Sequence, residues 1–513
     1  MAGHQMSQHG RVSEAGRASG PWFSRCCAVL STAACIVASS GSESGSETLK
    51  AAILRAFDGN PTLNAQRANL RAAREKLPQA QAGYFPKVSA IADLGYDKET
   101  GTYANFGKVT RSQFESTPKG YRLQVTQTLF DGWRTPNSVR QSGHVIDGTT
   151  ETLRAQEQQT IVDTATAYLN VLRDSELQDV YRDNAMFIGE QARIVSERHA
   201  FGDLTRTDLA LAQARLAIAR SQQLAAAVGL AESKAIFRQT TGAEAVNLAA
   251  ATPVDSMVAM SLEQALRLAG GQHPGIKAAR SAADAALFQV KITDGELLPK
   301  LGVTASIGRR FDVQSHGDRQ FSGSVAGQLS IPLFDGGEVA SRSRETREIA
   351  WQRRLEADTI QDRVRAAVLT GWNRLQTGKA QVTSAQAQVA AARSARAGMS
   401  EEYRFGQRTT LDILNAQQDL LSARINLATA LHDRVLASFV LAQAIGELTL
   451  PNVVAALDVG KPLAPARDPA PQKPLLKKTI DAWQPARFGI SLPCAAGCKE
   501  ESPGWELGLR GSQ

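Results

Sequence analysis

Along most of this chain apolar residues return every three or four positions, the period of a helix packed on one side. Ile161, Ala165, Tyr168 and Leu172 form such a stripe within a run from about Pro136 to Ala200. Val368, Trp372 and Leu375 form another between Gly337 and Arg404. Shorter helical runs are predicted over Thr48–Gln81, Thr207–Thr240 and Leu411–Ile445, with Gly242 and Gly446 as C-terminal stops. Two regions change to a period of two. Tyr121, Leu123, Val125 and Leu129 alternate with Arg122, Gln124, Thr126 and Thr128. Leu301, Val303, Ala305 and Ile307, then Phe321, Val325, Leu329 and Ile331, alternate with small or polar residues. Alternation over about 10 residues suits a strand with lipid on one side and water on the other.

The same elements occur twice. Asn60-Pro61 and Phe85-Pro86-Lys87 match His273-Pro274 and Leu298-Pro299-Lys300 at an offset of 213. Leu129-Phe130-Asp131-Gly132, Phe201-Gly202, Thr205, Asp208, Gln213 and Gly242 match Leu333-Phe334-Asp335-Gly336, Phe405-Gly406, Thr409, Asp412, Gln417 and Gly446 at an offset of 204. The nine-residue change of offset falls between Pro86 and Phe130 and predicts a surface loop there.

Length then selects the architecture. A helix of about 65 residues is roughly 100 Å long, more than a compact domain needs. Two runs of about 34 residues, stacked end to end, equal it. The chain therefore reads as a rod in which one continuous helix pairs with two half-length ones, joined to a β-hairpin, with the Phe-Gly turns at its far tip. Two hairpins supply four strands. Four cannot close a barrel, and an open edge is not tolerated in lipid. Three copies would bring twelve, enough for a lumen, since about eight are filled by side chains.

Composition narrows this further. Aromatic residues are 6% and the hydrophobic share of 43% leans on alanine, as suits long helices packed on small residues. Lys and Arg (58) exceed Asp and Glu (50), but the basic residues alternate with acidic ones along helices, so solvated faces rather than nucleic acid are expected. Arg11, Arg17 and Arg25 precede the apolar stretch 26–38 and a small polar run, so 1–40 reads as a secretory signal. Cys26, Cys27 and Cys35 lie in it; Cys494 and Cys498 lie in a Pro-rich, charged segment, 451–513, expected to be disordered. No phosphate loop, zinc-protease or Ser-nucleophile motif is present, so neither an enzyme nor a cofactor is expected, and dispersed His argue against a metal site.

The duplicated block, from NP, FPK, LFDG and FGDLTRTDLALAQARL to HP, LPK, LFDG and YRFGQRTTLDILNAQQDLL, resembles the TolC family of outer-membrane efflux and secretion proteins over roughly Thr48 to Leu450. The resemblance implies a mixed fold: a long α-helical coiled-coil tunnel with four transmembrane β-strands per protomer, a homotrimer closing a 12-stranded outer-membrane β-barrel. The repeats are then 48–250 and 261–450. It implies partners too: a periplasmic adaptor (membrane fusion protein), an inner-membrane transporter and outer-membrane lipid. By position it places a tip closure at Tyr403 and Arg408, tied to Asp208 and Thr207. A pore constriction falls at Asp412, whose ring could bind cations, and at Asn415 where the family carries a second Asp. Asp208 and Asp412 each follow Thr at a helix start, so both can equally serve the helix N-terminus.

Three functions fit the sequence. The first is the duct of a type I secretion system with an ABC transporter, exporting a protein such as a haemolysin-type toxin; the compact LFDG turns and the absence of a clear lipobox favour it. The second is the duct of a drug or metal efflux pump. The third is a periplasmic coiled-coil scaffold without a pore. Arg198, Arg206 and Arg404 beside the tip turns are candidate adaptor contacts.

Overall fold

The computed structural model describes residues 47–258, 261–313 and 316–457. The expected signal at 1–40 and Cys26, Cys27, Cys35, Cys494 and Cys498 lie outside them. Each repeat follows one plan. In the first, helices α1 (Leu49–Gly59) and α2 (Pro61–Gln81) lead to strands β1 to β4, then to α3 (Arg134–Ala200) and α4 (Arg206–Thr241). In the second, α5 (Leu262–Gln272) and α6 (Pro274–Asp294) lead to β5 and β6, then to α7 (Glu338–Arg404) and α8 (Thr410–Ile445). Helices α3 and α7 each have 67 residues, and α4 and α8 each have 36.

Three expectations need correction. The helix expected over Thr48–Gln81 is two helices. Asn60 is extended (φ −67°, ψ 120°), and its side-chain oxygen accepts from the backbone N–H of Thr62 at 2.9 Å and Leu63 at 3.3 Å. Pro61 lacks the N–H that would continue α1, so the cap restarts the helix there. The loop expected between Pro86 and Phe130 is a regular hairpin, β2 (Asp97–Asn105) with β3 (Lys108–Ser116), turned tightly at Phe106 and Gly107, both at positive φ. The segment expected to be disordered from 451 begins with helix α9 (Leu450–Leu457), because Val453 and Val454 are apolar enough to join the core.

The main sheet has the order β1-β4-β5-β6, with β1 (Lys87–Leu94), β4 (Lys119–Phe130), β5 (Lys300–Phe311) and β6 (Arg319–Ser330), all antiparallel. Register sorts its faces. Val88, Val125, Ala305 and Val325 form one cross-strand row, and Ala90, Leu123, Ile307 and Gly323 the next. Between them, on the other face, run Ser89, Gln124, Ser306 and Ser324. The apolar face is open: Phe321 is 65% and Val325 78% exposed. An apolar face that nothing covers is not the face of a soluble sheet.

Helices pack as two coiled hairpins, α3 with α4 and α7 with α8, which meet along α3 and α8; nearer the sheet α2 packs on α3, α3 on α6 and α6 on α7. Among the described helices α8 alone is long and apolar enough to cross a membrane, but half of that stretch is buried inside the molecule. The largest core lies midway along the rod. There Tyr168, Phe237 and Phe439 pack with Ile53, Ile161 and Val453. The Tyr168 hydroxyl bridges the carbonyls of Glu47 (2.8 Å) and Ala249 (2.7 Å), and burial pushes its phenol up to about 12.

Candidate functional site at the helical tip

The residues singled out at the tip sit where the long helices turn back. Phe201-Gly202 follows α3 and Phe405-Gly406 follows α7, with Gly202 at φ +82° and Gly406 at φ +74°. That left-handed geometry suits glycine and lets the turn reach back to the helix end. The Gly202 N–H donates to the His199 carbonyl at 2.9 Å, and the Gly406 N–H to the Tyr403 carbonyl at 3.0 Å.

Next come two matched capping boxes. Thr205 Oγ1 accepts from the Asp208 N–H at 3.2 Å, and the Asp208 carboxylate accepts from the Thr205 N–H at 3.1 Å and its hydroxyl at 2.7 Å. Thr409 and Asp412 repeat this at 3.3, 3.0 and 2.9 Å. Both aspartates therefore cap a helix within their own chain. The Thr409 N–H, then its hydroxyl and then the Arg408 charge hold the Asp412 carboxyl below the usual carboxylate range.

Within one chain the four expected tie residues are not joined to one another. Thr207 is exposed and Asp208 serves its cap. Arg408 donates to Glu402 at 2.7 Å. The Tyr403 hydroxyl lies 3.4 Å from Arg198 Nη1 and 3.4 Å from Thr410 Oγ1, with the Arg198 guanidinium 5.9 Å from the centre of its ring. Arg198 also pairs with Asp203 at 3.2 Å. A residue expected only as a docking surface thus fastens one helical hairpin to the other. The repeat carried a signal for it: Arg198 lies opposite Glu402 at the 204-residue offset, a change of sign at the same turn.

Asp412 is half-buried on α8, and Asn415 is exposed one turn further on. Asp419, which sequence reasoning did not pick out, is exposed on the same face. On the inner side Gln417 donates to Asn184 at 3.0 Å, both side chains buried, holding α8 on α3. The tip can therefore present a column of polar and acidic side chains while its helices stay anchored behind.

Residues 52–243 and 265–447 match the outer membrane efflux protein family. The chain belongs to that family. Its similarity to the outer membrane efflux protein BepC of Brucella suis is 33% identity, covering 79% of this chain and 86% of that one. It is similar to the alkaline protease secretion protein AprF of Pseudomonas aeruginosa at 28% identity, over 74% of this chain and 80% of the relative. The solved structure of outer membrane protein VceC from Vibrio cholerae shares the fold, with a TM-score of 0.65 at 18% identity, covering 78% of this chain and 96% of that one. As a TolC-family efflux protein it is an outer-membrane channel component of a Gram-negative cell, with a large periplasmic part, and not an enzyme. The scaffold without a pore is set aside.

Proposed function

We propose that three copies form one duct, with four strands from each closing a twelve-stranded barrel, and that this duct serves type I secretion of a protein substrate. The observation that carries the assembly is the pair of free edges on a sheet with one apolar face. Among the described residues β1 and β6 each lack a neighbour on one side, and every residue of both is exposed. In lipid such edges require partners, and β6 of one copy against β1 of the next satisfies both. The helices support the same closure. Leu224 and Val228 on α4 are 70% and 58% exposed, whereas their counterparts Ala428 and His432 on α8 are buried. Running the order α4, α3, α8, α7 around a ring brings α7 of one copy beside α4 of the next. Thr207 and Asp208 then face Tyr403 and Arg408 across the subunit boundary, and Asp412 and Asn415 line the constriction.

Secretion is supported by the protein export named in AprF and by the proteases secretion protein PrtF of Dickeya chrysanthemi. An ABC transporter in the inner membrane and a periplasmic adaptor are the partners of that reading. BepC, at 33% identity, favours a second one, the duct of an efflux pump. Deleting the gene and comparing the secreted proteins with the drug and metal tolerance of the parent separates the two. Loss of one exported protein with unchanged tolerance supports secretion, and the converse supports efflux. Heat-modifiable trimers in the outer-membrane fraction, with conductance in planar bilayers, test the duct itself.

A further inference from the structure

The two repeats make a seam inside each chain, and its matching halves are left unpaired at the chain's two sides. Within the chain α3 packs on α6. Gln141 Nε2 donates to Gln289 Oε1 at 2.9 Å, and His144 lies 4.0 Å from Asp284. Below them Gly132 is in backbone contact with Gly295, where a Cβ on either residue would collide with the other's carbonyl. The repeat carries α3 onto α7 and α6 onto α2, pairs of equal length. Gln141 becomes Glu345 and His144 becomes Glu348; Gln289 becomes Lys76 and Asp284 becomes Arg71; Gly132 becomes Gly336 and Gly295 becomes Ala82.

All four charged residues are exposed, and among the described residues no ion pair or hydrogen bond within the chain engages their side chains; only the Lys76 backbone carbonyl is used, accepting from the Ser142 hydroxyl at 3.5 Å. α7 already meets α6 through Ser343 and Arg347, both bonded to Asp294, so Glu345 and Glu348 lie away from that contact. Beside them Leu333 and Phe334 are 92% and 90% exposed, and nothing lies within 4 Å of a Cβ placed on Gly336. Tyr84 and Phe85, next to Ala82, are exposed as well.

We propose that a second copy of this chain completes the seam in the register of the internal one. Glu345 pairs with Lys76 of the neighbour and Glu348 with its Arg71, while the turn of Leu333, Phe334 and Gly336 seats on its 82–85 segment. The inference rests on the trimeric reading and gives it a register and a polarity. Acids on α7 and bases on α2 oppose α7 against α7 and α2 against α2 by like charge, so the contact is head-to-tail, the kind that closes into a ring. Glu75, in the place of Phe288, adds a like charge that Arg71 and Lys76 flank.

The test uses the full chain in outer membranes. Glu345→Cys combined with Lys76→Cys, oxidised in the cell, is expected to give covalent dimers and trimers on non-reducing gels, and neither single variant should. Glu345→Lys with Glu348→Arg is expected to reduce heat-modifiable trimer about tenfold, and adding Lys76→Glu with Arg71→Glu to restore it. Trimers that form normally in the reversed variant, with no cross-link from the Cys pair, overturn the register and leave the trimer standing. A parent chain that stays monomeric to chemical cross-linking overturns both.

Discussion

At the scale of single residues, the tip is held by contacts that can break without unfolding anything. Arg198 reaches Tyr403 from another hairpin, and both side chains are partly exposed, so the link is modest. Arg198→Ala should therefore leave folding intact and raise basal leak through the duct, read as closed-state conductance or entry of a large hydrophilic antibiotic. A variant as tight as the parent would remove Arg198 from the gate. Thr409→Ala should cost about 1 kcal/mol in the first turn of α8, visible as faster amide exchange there. Acid acts at the same turn. The Asp412 carboxyl titrates below its unfolded value, so its cap is fully present above the ordinary carboxylate pKa and is lost as pH falls through the depressed one. Exchange at the start of α8, corrected for its intrinsic pH dependence, should rise only in that acid window. Deeper in the rod, Tyr168→Phe removes the donor of the Ala249 carbonyl, while the Glu47 carbonyl keeps the Ala249 N–H, and should lower stability by about 1 kcal/mol on denaturant titration.

At the scale of elements, the periodicities carried most of the fold. The two 67-residue helices, their Phe-Gly turns and the alternation of β4, β5 and β6 follow from residue spacing alone. What stayed hidden depended on competition between local preferences. Asn60-Pro61 was visible as a pair, but only the cap geometry shows that it starts a new helix. In β2 Asp97, Lys98, Glu99 and Thr100 follow one another without alternation, so nothing marked a strand before its partner β3 was seen. Both aspartates of the tip were legible as caps or as gate residues, and the structure supplies the caps. Arg198 was visible as a candidate contact, but its tie to Tyr403 was not, because that partner comes from a helix some 200 residues away in sequence. The stripe Asp412, Asn415, Asp419 on α8 makes its own prediction. Asn415→Asp should strengthen block by multivalent cations in single-channel recordings and Asp419→Asn should weaken it. Unchanged block in both would move this face away from the ion path.

At the scale of the whole molecule, internal duplication would do much of the work of the proposed assembly. A chain whose halves already pack side by side presents, at its two flanks, the same two surfaces it has joined within. Yet the halves are unequal at one place. The hairpin β2–β3 extends the first pair of strands at the end remote from the helices, whereas in the second pair β5 ends at Phe311 and β6 already begins at Arg319. The wall of the proposed three-copy cylinder would thus look nearly sixfold along its length, while its outer rim would be a three-pointed crown. An antibody or phage that grips those points could occupy at most three places on each cylinder, and a peptide tag set at Phe106-Gly107 would count them.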